Sequence, residues 1–138
     1  MFTLEKNNRK ITRTLFIYVS VTLFVALFGF IYELNSNNVF AFEMAFAWIY
    51  PLIFGVGTYL TIRLIPVAKA PSLLTACVYN TGVGLITVRS IFIGVIKIYG
   101  TTNNVMTSTY TILSIVFLVG GVILYILGLF LPKKETND

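Results

Sequence analysis

The chain has no histidine, a single cysteine (Cys77) and only five acidic residues among 138. Without histidine, one thiol cannot build a tetrahedral zinc cage, so no metal centre is expected. A lone cysteine also excludes a disulfide within the chain. With no histidine or nearby base to activate it, Cys77 reads as a small packing residue rather than a nucleophile. Charge of either sign is scarce. Charged residues make up 11% of the chain, against roughly 25% in ordinary soluble domains. No cofactor-binding motif is present, and the acids are too few to assign a catalytic acid/base pair, so no enzymatic activity is expected.

What fills the chain is apolar surface. Hydrophobic residues make up 57%, and the mean hydropathy is +0.89. A soluble domain this small leaves too large a share of its residues facing water to hide that surface. Lipid is the alternative solvent. The sequence therefore points to an all-α integral membrane protein, a single domain over 1–138. It would form four transmembrane helices in a compact bundle, with both termini cytoplasmic. The net charge of +5 is not a nucleic-acid signature, because the basic residues cluster at helix ends.

Four apolar stretches carry this reading. Residues 1–13 form a basic leader, followed by an uncharged run of 19 residues, Thr14–Tyr32. That run approaches the roughly 20 residues needed to cross about 30 Å of hydrocarbon. It is too long for the apolar core of a signal peptide, so an uncleaved first span over about 14–33 is expected. A short polar turn leads to a second span, about 39–63, which Pro51 should kink by removing a backbone donor. A two-proline connector precedes the third span, about 72–99. A second polar turn precedes the fourth, about 107–131, and a polar tail covers 132–138. A weak echo, Gly29-Phe-Ile before Asn37-Asn38-Val39 and Gly94-Val-Ile before Asn103-Asn104-Val105, hints at two tandem hairpins.

Counting Lys and Arg gives the orientation. Lys6, Arg9, Lys10, Arg13, Arg63, Lys69, Lys133 and Lys134 fall on the side of the termini; Arg89 and Lys97 fall on the other. Eight against two places the termini in the cytoplasm, by the rule that cytoplasmic loops are basic.

Helical projection gathers small and polar residues on one face of each span. In the first span they are Thr22, Ala26, Gly29 and Glu33; in the second, Glu43, Ala47, Pro51 and Thr58. The third offers Ala76, Asn80, Gly84, Thr87 and Gly94, and the fourth Thr107, Thr111, Ser114, Gly121 and Gly128. Small residues let helices approach closely in lipid, so these stripes are expected to face inward. Tyr32, Phe40, Phe42 and Tyr99 read as interfacial aromatics.

The candidate site is a polar and charged cluster of Glu33, Glu43, Asn80, Arg89 and Lys97. Charges below the headgroups are costly, so pairing is favoured: Glu43 should approach Lys97 or Arg89, with Glu33 completing the cluster. Arg89 lies about 180° from Asn80 on a regular helix. Its open alternatives are snorkelling to the outer headgroups, an ion pair with Glu33 or Glu43, or contact with another protein. Asn80 needs an interhelical hydrogen bond or a ligand.

No family is assigned. The first span lacks the central glutamate of small multidrug exporters. Residues 81–87 (TGVGLIT) are faintly similar to the broken third helix of small fluoride channels. However, the second-span asparagine and the paired third-span phenylalanines of those channels are missing. The leading expectation is a protein that acts by contact in a bacterial cytoplasmic membrane, as an accessory subunit, a regulator or an immunity-type protein. Its partners would be the bilayer and another membrane protein or a second copy. The alternative is an oligomeric transporter or channel with a polar path through Asn80, Thr87, Glu43 and Arg89 along the second and third spans.

Overall fold

The computed structural model describes residues 2–35, 39–65, 71–101 and 104–130, with side chains from residue 8 onward. The expected tail (132–138), the tips of the two outer turns (36–38 and 102–103) and most of the inner connector (66–70) lie outside the described residues. Within those residues the fold is all helical. In chain order it has α1 (Phe2–Leu34), α2 (Phe42–Ala45), a π-helix (Pro51–Gly57), α3 (Thr58–Leu64), α4 (Leu73–Ile98) and α5 (Asn104–Phe130). Three of these, α1, α4 and α5, are long and apolar enough to cross a membrane.

α1 starts well before the expected residue 14. Nothing in the basic leader stops a helix: there is no proline or glycine before Gly29. The Thr12 and Thr14 hydroxyls donate to the carbonyls of Asn8 and Lys10, one turn back. α4 keeps close to its expected bounds because both ends are capped. Ser72 Oγ accepts from the Thr75 amide at 3.2 Å, the usual N-cap arrangement. At the other end Gly100 takes φ 69°, a conformation that a Cβ disfavours, and its amide bonds back to Lys97 O at 3.0 Å.

The segment expected as a second continuous helix is broken. α2 has only four residues and gives way to a turn at 46–48, after which the backbone winds as a π-helix from Pro51 to Gly57. Pro51 has no N–H to donate one turn back, which breaks the ordinary α ladder at that point. Wide π winding absorbs the mismatch. The break is well packed: Ala41, Met44, Ala47, Pro51 and Gly55 are all buried.

This segment runs antiparallel to α1. A Cβ on Gly29 would fall 3.0 Å from Met44 O, and one on Gly55 would strike the Tyr18 ring. Ile11, Leu15, Tyr18, Tyr59 and Val83 form one buried cluster, with Val56 and Ile62 packed against it.

α4 and α5 form a close antiparallel hairpin. A Cβ on Gly82 would lie 2.7 Å from the Leu118 amide nitrogen, and one on Gly121 would lie 2.8 Å from Tyr79 Cα. Two expected inward positions fail here. Gly84 and Gly128 are exposed, with nothing within 4 Å of a Cβ built on them. α4 is packed on two sides, toward α5 through Gly82 and toward the broken segment through Val83, Thr87, Ser90 and Gly94. Asn80 sits at the edge of that buried arc, so taking its phase as the centre carries Gly84 to the outside. Cys77 lies on the same outer side and is exposed rather than packed.

Candidate functional site

The polar groups of the bundle gather at two levels. The inner level centres on Asn80, in the first half of α4. Its Oδ1 accepts from the Tyr18 hydroxyl at 2.7 Å and from the Tyr59 hydroxyl at 2.9 Å. One carboxamide oxygen thus ties α4 to both α1 and α3. The two tyrosine rings pack with centroids 5.7 Å apart. Tyr18 can lie this close because Gly55 has no side chain to block its ring.

Tyr79, one residue before Asn80, reaches the other way. Its hydroxyl donates to Phe54 O at 2.9 Å and lies 2.8 Å from Thr58 Oγ1. It therefore pins the junction where the π-helix passes into α3. The bonding is physically required: a buried tyrosine hydroxyl or amide in an apolar medium must find a partner.

The outer level holds the charges. Glu43 in α2 and Lys97 near the end of α4 form an ion pair through Oε1 and Nζ, half-exposed at the end of the bundle. Glu33, at the end of α1, accepts the Ala41 amide at 3.1 Å and so fixes the start of α2. Arg89 turns toward α5, and its Nε donates to the Thr111 hydroxyl. Met44 closes this level as a fully buried knob between Gly29 of α1 and Gly94 of α4. These are the two glycines of the sequence echo, and both meet Met44: Gly29 faces its backbone carbonyl and Gly94 its side chain.

Of the five expected residues, Lys97 pairs with Glu43, Arg89 lies near enough to act on the Glu43 charge, and Asn80 stands apart. Glu33 braces the neighbouring backbone, and Arg89 bonds across the second hairpin. Asn80 belongs to the inner level, far along α4 from Lys97. Sequence reasoning missed Tyr18, Tyr59 and Tyr79, although it placed Thr58 on the inward face of the second span. The available signal was that these tyrosines sit inside apolar runs, where a hydroxyl needs a partner, rather than at the span ends.

Among the described residues, no group of three or more metal-ligating acidic, cysteine or histidine side chains occurs. The chain matches no protein-family model, no characterised protein and no solved structure.

Proposed function

We propose that the chain is a four-pass protein of a bacterial cytoplasmic membrane, with both termini inside, that works by contact with another membrane protein rather than by catalysis. The fourth crossing is the broken segment. It follows α1 from the level of Gly29 to that of Leu15, 14 residues or about 21 Å at 1.5 Å per residue. Irregular backbone is tolerated at membrane depth when protein buries it, as it does at Met44, Ala47, Pro51 and Gly55. The eight-to-two distribution of Lys and Arg supports the orientation. Reporter fusions at Asn37, Lys69, Asn103 and Asp138 test it. An external signal at Lys69 or Asp138 overturns it.

The observation that carries the contact reading is the isolation of α5. It packs against α4 and makes no other substantial contact among the described elements. In its most apolar stretch 11% of residues are buried, against 28% in α1 and α4. A helix inside a four-helix bundle normally has two neighbours. The outward side of α5 presents Ile112, Val116, Val119, Ile123 and Ile126, all exposed. β-Branched side chains are already stiff at χ1, so packing them against a partner costs little side-chain entropy.

The transporter path finds less support. Asn80 is taken by two tyrosines, Arg89 by Thr111 and Glu43 by Lys97, and Thr87 bonds to its own backbone at Val83 O. Extraction in mild detergent should bring down a second protein in fixed ratio. That protein should cross-link to Val119→Cys in a Cys77→Ser background. A pure homo-oligomer that conducts ions in liposomes would replace this reading with the transporter.

A further inference from the structure

A groove of about 1030 Å³ lies between the second half of α5 and the broken segment. One wall is Ile53, Tyr59 and Ile62, the floor is Ala76, and the far wall is Val122 and Tyr125. The lining is overwhelmingly apolar. On α5 the groove runs from Gly121 to Leu129, eight residues or about 12 Å at 1.5 Å per residue. On the opposite wall it runs from Ile53 to Ile65, twelve residues or at most about 18 Å. Both lengths are close to half of the roughly 30 Å hydrocarbon core. The groove therefore fits the depth of one leaflet. A transmembrane helix would overrun it by as much again, whereas an acyl chain has the length of one leaflet by construction.

The mouth lies where α3 ends and α4 begins, at Ile65 and Pro71, and the nearest charge along the chain is a basic one that does not itself line the groove. Arg63 is exposed in the last turn of α3, between the groove residues Ile62 and Ile65. Arg9 and Arg13 are exposed on α1 at the same end of the bundle, where they line a separate hollow with Thr12, Phe16 and Ile17. Glu33 and Glu43 lie at the opposite end, beside Ala41 and Lys97.

We propose that this groove holds the acyl chains of an anionic phospholipid from the leaflet on that side, with the phosphate against Arg63. Apolar burial supplies the affinity, and the basic rim selects the headgroup. The site is set by the Asn80 level, because Tyr59 and Tyr79, which anchor there and at Thr58, both line it. A filled groove would also give α5 a second neighbour along its inner half. The inference rests on the membrane reading above, but not on the existence of a protein partner.

The test is native mass spectrometry of the full chain released from nanodiscs containing equal amounts of phosphatidylglycerol and phosphatidylcholine. The expected result is one retained phospholipid per chain, with the glycerol headgroup favoured about fivefold, the contribution of one basic residue near a membrane surface. Arg63→Gln should bring that preference close to one while lipid is still retained. Val122→Trp should reduce retention of both lipids, and Val119→Trp, on the outward side of α5, should not. Equal retention of the two lipids by the unmodified chain overturns the proposal. So does equal loss with Trp at 119 and 122, or a lipid-free dimer. Because no second protein is present, failure here leaves the partner reading standing, and failure to find a partner leaves this result standing.

Discussion

In the second hairpin two unbroken helices, α4 and α5, meet at Gly82 and Gly121. In the first half of the chain, α1 instead packs against a segment that changes winding twice between Phe42 and Leu64. The hairpin achieves close approach by having no side chain at the crossing. The first half achieves it by bending a backbone around large side chains: Met44 seated on Gly94 with its carbonyl against Gly29, and the Tyr18 ring seated on Gly55. In a lipid medium, which is as apolar as the side chains, packing and hydrogen bonds hold helices together. The hairpin relies mainly on packing. The broken half adds side-chain hydrogen bonds to its own backbone, as where the Tyr79 hydroxyl donates to Phe54 O.

The largest effect should come from filling the hairpin crossing. Gly82→Leu and Gly121→Leu push a branched side chain into backbone at under 3 Å and should cost about 3 kcal/mol or more. Gly84→Leu and Gly128→Leu point into open space and should stay within about 0.5 kcal/mol. Unfolding in mixed detergent micelles, followed by circular dichroism, measures all four. Equal losses at the four sites would mean that the hairpin does not cross at Gly82 and Gly121.

Next comes the knob of the broken half. Met44→Ala should cost about 2 kcal/mol, the lower end for such a truncation, since the side-chain-free surface at Gly94 lets α4 close on part of the gap. The same unfolding assay reads it. A silent change would show that the break at 46–48 is held by something other than Met44.

A smaller effect belongs to the inner hydrogen bonds. Asn80→Ala removes two interhelical bonds, worth about 0.6 kcal/mol each in membranes, for a total near 1 kcal/mol. Tyr18→Phe and Tyr59→Phe should each lose part of that in the native background. In the Asn80→Ala background they should lose little, so a double-mutant cycle tests the shared acceptor directly. Additive losses would separate the tyrosines from Asn80.

The smallest effect is at the outer pair. Glu43 and Lys97 are one-third and one-half exposed, and exposed pairs contribute about 0–1 kcal/mol. Glu43→Gln should therefore cost well under 1 kcal/mol, and adding Lys97→Gln should cost less than the sum of the two. Raising the salt should shrink the difference further. A loss above that of Asn80→Ala would make the outer level, not the inner one, the principal polar tie.

Much of this protein is written in local chemistry. The length of the apolar runs specifies α1, α4 and α5 as membrane-length helices, because the hydrocarbon thickness sets how many residues must be apolar. The caps at Ser72 and Gly100 bound α4, and Pro51 marks where regular winding must fail. Scarcity of charge near the outer end makes a Glu43–Lys97 contact foreseeable. What local chemistry leaves open is phase and partner. Helical projection assumes that each helix has one buried side. α4 has two, and only the placement of α1, the π-helix and α5 around it decided that Gly82 is inside and Gly84 outside. Projection likewise shows that Arg89 faces away from Asn80, but not that Thr111 waits there. Nor does any spacing along the chain bring Tyr18, Tyr59 and Asn80 together, since they are distant in sequence and meet only when three helices pack. The sequence determined that three helices are long and apolar enough to cross a membrane, because apolarity follows from composition and length from rise per residue. The tertiary structure decided which polar groups meet, because in lipid each must find whatever partner the packing leaves within reach.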